Sequence, residues 1–275
     1  MKKFIILFSL FIFLSFFLTN LFVTSLEDND SLMQEIKSQT IKYKEEPVDA
    51  EIIGNSIVSG TYGRDIDYSK SYHRMKKYGT YNETLTCFKE IKPTISIEDN
   101  YDKYLIGGNK NKREVALVFI GDDLNKVITI LNKEEVSGTF FIDGINITKN
   151  NKLLQDKNHE FEILSYDNSY DQSLFKTAIA YLETITKDKC NYCYTVTDND
   201  KLLKLCSKLK LHTIKPSIIV NRNLYSEVKH NLSNSIIISI EINNYTEREL
   251  TTTIKYLKSK GYSLVTLNNL LIEKN

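Results

Sequence analysis

The chain has 275 residues, which is enough for one large domain or two modest ones. Its 36 Lys and Arg residues nearly balance its 35 Asp and Glu residues, so no net electric field favours nucleic acid or an anionic surface as a partner. The sequence contains no phosphate-binding loop and no dinucleotide-binding fingerprint. These observations argue against a nucleic-acid-binding protein.

A long apolar segment lies at the amino terminus. Lys2 and Lys3 precede twenty uncharged residues, 4–23, of which sixteen are apolar. Such a segment can cross the hydrocarbon core of a bilayer, whereas the apolar region of a signal peptide is usually shorter. The two lysines should stay in the cytoplasm, which places the chain after residue 26 outside. We therefore predict a transmembrane anchor over residues 1–26. The alternative is a signal sequence cleaved near Ser25, which would make the protein secreted.

Two further segments precede the regular part of the chain. Residues 27–47 are charged and polar, which is typical of a juxtamembrane spacer. Residues 48–112 contain two strand-like pieces around the turn dipeptide Gly54-Asn55, followed by a helix that ends at Gly79. We predict that residues 48–112 form a small α+β module, to which the sequence assigns no role.

From residue 113 onward, strands and helices alternate. The segment from Val115 to Gly144 has the pattern strand, helix, strand, and its length suits a βαβ unit with parallel strands. Both strands are continuous apolar runs, as expected for parallel strands that are covered on both faces. Later strands are predicted at 159–164, 192–196, 236–240 and 263–266, and helices at 173–186, 199–210 and 246–260. This α/β pattern predicts a closed or nearly closed parallel barrel over residues 113–275, with an open doubly wound sheet as the alternative.

Several segments of this region together resemble the polysaccharide deacetylases: VALVF, TFFIDG, NHEFEILSY and KGYSLVTL. The resemblance covers residues 113–272 and implies the fold of that family's NodB-homology domain, a distorted (β/α) barrel. In the family, a first-strand Asp-Asp pair, two histidines four residues apart and a late-strand histidine serve a divalent metal such as zinc. The metal polarises an N-acetyl or O-acetyl carbonyl and lowers the pKa of a bound water.

The residues that carry this chemistry in the family are not matched in the present chain. The corresponding positions are occupied by Ile120 and Gly121 for the aspartates, Leu164 and Asn168 for the paired histidines, and Ile240 for the late histidine. Aliphatic side chains cannot bind a metal. The resemblance therefore implies a pseudoenzyme with no catalytic residue, no metal site and no cofactor, since fold alone does not carry function.

Asp122 and Asp123 directly follow the first strand, where barrels place catalytic carboxylates. A two-residue shift would bring both into the site, and with a divalent metal they would make an active deacetylase. The alternative, which we favour, is that one of them caps the next helix. A site for a hard cation, made from Asp122, Asp123, Asp143, Asp167 and Glu241, would require all of these carboxylates to converge.

Four cysteines are present, and two of them form the motif Cys190-x-x-Cys193. One C-x-x-C is only half of a zinc knuckle, and the helix start that accompanies a thioredoxin motif is missing. Outside the membrane, Cys206 on the following predicted helix could form a disulfide with either cysteine of the motif. Free thiols are an equally favoured alternative.

Tyr166 and Tyr170 follow the third predicted strand and are candidates for contact with carbohydrate, because an aromatic ring can stack on a sugar. These features together predict a membrane-anchored, extracytoplasmic, deacetylase-like protein without activity, which binds or organises cell-envelope glycan or an envelope protein. One alternative is an active metal-dependent carbohydrate deacetylase with a rearranged site. Another is a structural envelope protein that binds only proteins.

Overall fold

The computed structural model of the protein describes residues 2–164 and 171–274. The chain divides into two compact units, one formed by Met1–Pro47 and Gly63–Ile91 and the other by Val48–Tyr62 and Lys92–Asn275. This division differs from the predicted segments, because the 48–112 module does not form a unit of its own. Its strands at residues 51–58 and 104–107 belong to the main sheet, and its middle part belongs to the smaller unit.

The described residues contain ten α-helices and thirteen strands. The helices are α1 Lys2–Asp28, α2 Ser31–Thr40, α3 Tyr68–Met75, α4 Leu124–Lys133, α5 Gly144–Lys149, α6 Gln172–Thr186, α7 Asp200–Lys208, α8 Leu224–Asn231, α9 Asn244–Ser259 and α10 Leu267–Leu271. The strands are β1 Glu51–Ile53, β2 Ser56–Val58, β3 Gly63–Ile66, β4 Phe88–Ile91, β5 Tyr104–Gly107, β6 Glu114–Ile120, β7 Thr139–Ile142, β8 Glu160–Ile163, β9 Tyr192–Tyr194, β10 His212–Ile214, β11 Ile218–Val220, β12 Ile236–Glu241 and β13 Ser263–Val265.

The smaller unit begins with the apolar helix α1. Among the described residues, its stretch Phe8–Asp28 is the one helix that is long and apolar enough to cross a membrane. Helices α2 and α3 pack against each other through a small core of buried side chains, formed by Leu32, Met33, Ile36, Tyr72 and Met75. Strands β3 and β4 pair in antiparallel orientation beside them. This unit therefore combines a candidate membrane segment with a small packed domain.

The larger unit is built on an eleven-stranded mixed sheet. Strands β6 and β7 pair in parallel and are joined by α4, which confirms the predicted βαβ unit. Strand β12 pairs in parallel with the other edge of β6, and the short strand β13 also pairs with β6. One run of seven neighbouring strands is β9-β10-β5-β12-β6-β7-β8. Strand β6 therefore lies near the middle of the sheet.

The two ends of that run, β8 and β9, are not paired by backbone hydrogen bonds within the described part of the chain. The closed barrel that the sequence predicted is therefore not confirmed, and the sheet is open by hydrogen bonding. Instead, a side chain of β8 accepts hydrogen bonds from the main chain beside β9. The fully buried carboxyl of Glu162 accepts hydrogen bonds from the backbone N–H groups of Asn191 and Tyr192 on the β9 side, at 2.9 and 3.1 Å from Oε2.

A second carboxyl lies on the same strand. Glu160 Oε2 accepts hydrogen bonds from the Thr139 hydroxyl and from the backbone N–H of Asn268, at 2.9 and 3.1 Å. Burial raises the pKa of Glu160, and burial together with the neighbouring Glu160 carboxyl raises the pKa of Glu162 well above its usual value. Two adjacent buried carboxylates repel each other, so the pair releases its last proton at a higher pH than two exposed glutamates do.

The alternating side chains of the strands build two separate cores. The helix-side core holds Val115, Leu117 and Phe119 of β6 and the apolar residues of α4, α6, α7 and α9. The inner core holds Ala116 and Val118 of β6 on the opposite face of the sheet, together with side chains of α10. Side chains at the positions of the family's metal-binding and catalytic residues can act together only if they face the inner core.

Candidate functional site

The carboxyl ends of the parallel strands are where an α/β fold of this kind places its chemistry. Ile120 ends β6 and Leu164 follows β8, and both side chains are half-buried against the inner core. Tyr194 ends β9, and its hydroxyl oxygen lies 2.7 Å from Ser239 Oγ. Burial raises the pKa of Tyr194 to about 12, so this hydroxyl is neutral at physiological pH. We call Ile120, Leu164, Tyr194 and Ser239 the carboxyl-edge group.

The structure places Ile240 and its neighbour Ser239 on opposite faces of β12. Ile240, to which the sequence comparison assigned the late-strand histidine position, is buried in the helix-side core. The preceding residue, Ser239, pairs with Val118 and faces the inner core. Because side chains alternate along a strand, a one-residue difference in the assignment exchanges the two faces. The position that faces the other members of the carboxyl-edge group is therefore Ser239.

Gly121 lies at the second aspartate position of the family. The backbone conformation there restricts which residue types can occupy the position. The φ angle of Gly121 is +138°, a conformation that residues with a Cβ rarely adopt. A Cβ at this position would lie 3.0 Å from the Ile242 Cβ and 3.3 Å from the Ile242 carbonyl oxygen. The main chain here therefore favours glycine.

Asp122 and Asp123 have partners other than each other. Asp122 Oδ1 accepts a 2.6 Å hydrogen bond from Asn146 Nδ2, and Asp123 forms a 2.7 Å ion pair with Lys126. Asp123 occupies the N-cap position of α4, but its side chain makes no capping hydrogen bond, so the predicted cap is wrong in that respect. Both side chains are exposed. The ion pair with Lys126 satisfies Asp123 instead of the helix backbone.

The described residues of the carboxyl edge do not fit a catalytic metal. Ile120, Gly121 and Leu164 carry no ligand atom, and the hydroxyl of Tyr194 is already hydrogen-bonded. Asp143, considered for a hard-cation site, accepts a 2.7 Å hydrogen bond from the Asn146 backbone and so caps α5. In residues 2–164 and 171–274, no group of three His, Cys, Asp or Glu side chains could hold a metal ion. Asn168 and Asp167 lie outside the described residues.

Tyr166 and Tyr170, the candidates for carbohydrate contact, also lie outside the described residues. The structure identifies another aromatic side chain at the same edge of the sheet. Tyr245 is in the first turn of α9, directly after β12, and is 53% exposed. The guanidinium of Arg222 lies 4.9 Å from the centre of its ring. Its position just after the end of an apolar strand is the sequence feature that could have identified Tyr245 as a candidate for carbohydrate contact.

The three cysteines of the larger unit have different states. Cys193 on β9 and Cys206 on α7 form a disulfide, with a Cα–Cα distance of 6.4 Å. Cys190 is a buried free thiol, and its burial together with the nearby Glu162 carboxyl raises its pKa. A thiol in this state is a poor nucleophile and a poor metal ligand. The C-x-x-C motif therefore serves packing and one covalent link.

Comparison with known proteins identifies relatives of the whole chain. No family model matches the sequence. The chain is 26% identical over 281 residues to YlxY, an uncharacterized protein of Bacillus subtilis (strain 168), and the match spans 91% of this chain and 86% of that protein. This similarity extends over most of both chains and leaves the function open.

Solved structures identify the fold. BA3943, a CE4 family pseudoenzyme from Bacillus anthracis, matches with a TM-score of 0.67 and 24% identity, over 90% of this chain and 97% of that one. The Bc1960 peptidoglycan N-acetylglucosamine deacetylase matches with a TM-score of 0.55 and 20% identity, over 62% of this chain and 94% of that one. The resemblance to polysaccharide deacetylases is therefore confirmed at the level of the fold.

Proposed function

We propose that this protein is a degenerate member of the polysaccharide deacetylase family, anchored in the membrane, which binds cell-envelope glycan outside the cell without deacetylating it. The carboxyl-edge group carries this proposal. Ile120, Leu164 and Tyr194 occupy the edge where a deacetylase needs carboxylates and imidazoles, and none of them can hold or activate a metal-bound water. An intact scaffold with apolar chemical positions is the pattern of a pseudoenzyme.

The choice of ligand is supported by the comparisons. BA3943 is described as a pseudoenzyme, and Bc1960 acts on peptidoglycan. A protein that keeps this scaffold but loses the chemistry can retain the surface that meets the glycan. In the present chain, exposed Tyr245 with Arg222 above its ring is a side chain that can stack on a sugar at the carboxyl edge.

The placement outside the cell is supported by two features. The stretch Phe8–Asp28 of α1 has the length and composition of a membrane span and is not buried within the protein. The Cys193–Cys206 disulfide suits an oxidising compartment, because cytoplasmic thiols are kept reduced. A cleaved signal would leave the same domain outside, and analysis of the amino terminus of the mature protein distinguishes the two cases.

Metal content tests the loss of catalysis. Full-length protein, purified in detergent without a metal-binding tag, is incubated with zinc, manganese or cobalt and then desalted. We expect the bound metal to be far below one ion per chain, because residues 2–164 and 171–274 contain no set of side chains that could hold a metal ion. About one ion per chain that disappears in the Asp122→Ala/Asp123→Ala double variant would instead support an active, rearranged site.

Retention on insoluble peptidoglycan tests the binding function. We expect the full-length protein in detergent to sediment with peptidoglycan, and Tyr245→Ala to weaken this retention because a stacking ring is lost. Tyr78→Ala is a matched control, since Tyr78 is also exposed and has the Lys77 ammonium 4.7 Å from its ring centre, but it lies in the smaller unit. Absence of retention, combined with binding to envelope proteins, would contradict the proposal and favour a purely structural protein.

A further inference from the structure

A cleft lies at the amino ends of β9 and β10, opposite the carboxyl edge. Its volume is about 370 Å³, within the range of small-molecule sites. The side chains of Asn191, Asn268, Tyr101 and His212 line it, with buried Leu271 among its apolar residues. We call it the amino-edge cleft. None of its residues belongs to the carboxyl-edge group.

Two asparagine amides give this cleft its hydrogen-bonding character. Asn191 Nδ2 donates to Asn268 Oδ1 across 3.2 Å. This bond leaves Asn191 Oδ1 as an acceptor and Asn268 Nδ2 as a donor, and neither atom has another partner in the described part of the chain. If both amides were rotated, one donor and one acceptor would still remain side by side. Two neighbouring hydroxyl groups match such a pair, because each hydroxyl both donates and accepts.

Both asparagines are held in place by the buried glutamates. The backbone N–H of Asn191 donates to Glu162 at 2.9 Å, and the backbone N–H of Asn268 donates to Glu160 at 3.1 Å. These two hydrogen bonds hold the main chain at each position. The amide pair is therefore preorganised, which reduces the entropy lost when a ligand binds.

The charges around the cleft balance. Lys274 lies 3.9 Å from Glu98, and the buried Glu273 carboxylate accepts hydrogen bonds from the backbone N–H groups of Gly60 and Ile97. Two cations, Lys210 and Lys274, thus face two anions, Glu98 and Glu273. A cleft without excess charge favours a neutral ligand over an anion or a cation.

Flat rings form part of the wall. His212 is 8% exposed and stacks on Tyr101 with ring centroids 4.1 Å apart, and no partner for its Nδ1 occurs among the described residues. Burial lowers the pKa of His212 to about 4, so its ring is uncharged at neutral pH. Apolar walls beside fixed amides suit a ligand with carbon–hydrogen faces and hydroxyl edges.

We infer that the amino-edge cleft is a second carbohydrate site, which binds one neutral sugar residue through two neighbouring hydroxyl groups on the amides of Asn191 and Asn268. The site is separate from the carboxyl edge, so its occupation does not depend on how the carboxyl edge functions. It would give the protein two contacts with one glycan, or contacts with two glycans.

Titration calorimetry tests this site with two neutral probes, the N-acetylglucosamine tetrasaccharide and cellotetraose. We expect the full-length protein in detergent to bind at least one of them saturably. Asn191→Ala and Asn268→Ala should each weaken binding about tenfold, and the double variant should weaken it more than either single variant does. Alanine keeps the backbone N–H that donates a hydrogen bond to Glu162 or Glu160, so the variants should fold. Thermal unfolding measurements check this.

One control variant locates the effect. Asn231→Ala changes an exposed asparagine of α8 and should leave probe binding unchanged. The inference is overturned if neither probe binds, or if the folded double asparagine variant binds as the wild type does. It is also overturned if Tyr245→Ala abolishes probe binding, which would assign the probe to the carboxyl edge. Loss of peptidoglycan retention in Tyr245→Ala with intact probe binding would keep both proposals.

Discussion

Replacement of Glu162 by alanine should lower the free energy of unfolding by about 4 kcal/mol, or about 10 °C in Tm for a domain of this size. The carboxyl is fully buried and is the acceptor for the backbone N–H groups of Asn191 and Tyr192, where β8 and β9 lack a ladder. Alanine would leave both donors without this acceptor, would leave the Tyr192 N–H buried without a partner, and would open a cavity. Thermal or urea unfolding of the full-length protein in detergent measures the loss.

Glu162→Gln should behave differently, and its effect should depend on pH. The raised pKa of Glu162 means that its contribution to stability is complete below its unfolded pKa and is lost as the pH rises through its folded pKa. Glutamine keeps an acceptor for the β9 N–H groups, and its amide can donate to Glu160 Oε1, which has no other partner among the described residues. We therefore expect a Tm close to that of the wild type at pH 5 and a higher Tm at pH 9.

The matched control for Glu162 is Glu241→Ala, which removes an exposed carboxylate at the end of β12. It should change the free energy of unfolding by less than about 0.5 kcal/mol. Equal Tm values for Glu162→Ala and Glu241→Ala would show that Glu162 does not join β8 to β9. A Glu162→Gln variant that loses stability as steeply at alkaline pH as the wild type would refute the raised pKa of Glu162.

Removal of the Cys193–Cys206 disulfide should cost about 3 kcal/mol, as expected for a closed loop of this length. The double variant Cys193→Ala/Cys206→Ala should therefore unfold about 8 °C below the wild type in Tm. A reductant should lower the Tm of the wild type by a similar amount and should leave the double variant unchanged. Differential scanning calorimetry with and without reductant makes this comparison.

Cys87→Ala is the control for the disulfide variant. Cys87 is a half-buried free thiol of the smaller unit, so its removal should have little effect on the unfolding of the larger unit, with or without reductant. A wild-type Tm that is insensitive to reductant and equal to that of the double variant would mean that the two thiols are not bonded in the purified protein. That result would also remove one of the two supports for an extracytoplasmic location.

Much of the α/β unit was predictable because its signals are local. The apolar run of β6 and the helical spacing of Leu124, Val127, Ile128 and Leu131 in α4 each specify one element, and the structure places them as predicted. Helix α8 was not predicted, since only Leu224 and Val228 of its eight residues are buried. A periodic pattern with two apolar positions does not stand out from the surrounding polar sequence.

The sheet topology and the candidate sites were less predictable because they depend on distant residues. Strand β5 has four residues and pairs with β2, β10 and β12. The local sequence pattern does not predict these pairing partners. The link between Glu162 and β9 spans about thirty positions of sequence and uses a residue type that is usually exposed. The amino-edge cleft joins Asn191 to Asn268, which only folding brings together.

The conformation of Gly121 has a consequence for the evolutionary history of this protein. If substitutions returned acidic and imidazole side chains to the edge one at a time, an aspartate at position 121 would meet Ile242 and an unfavourable φ angle before it could serve any ion. The intermediate would be less stable and still inactive, so selection would remove it. The backbone conformation at position 121 thus disfavours the aspartate that catalysis would need. We expect proteins descended from this one to change their ligands rather than regain deacetylase activity.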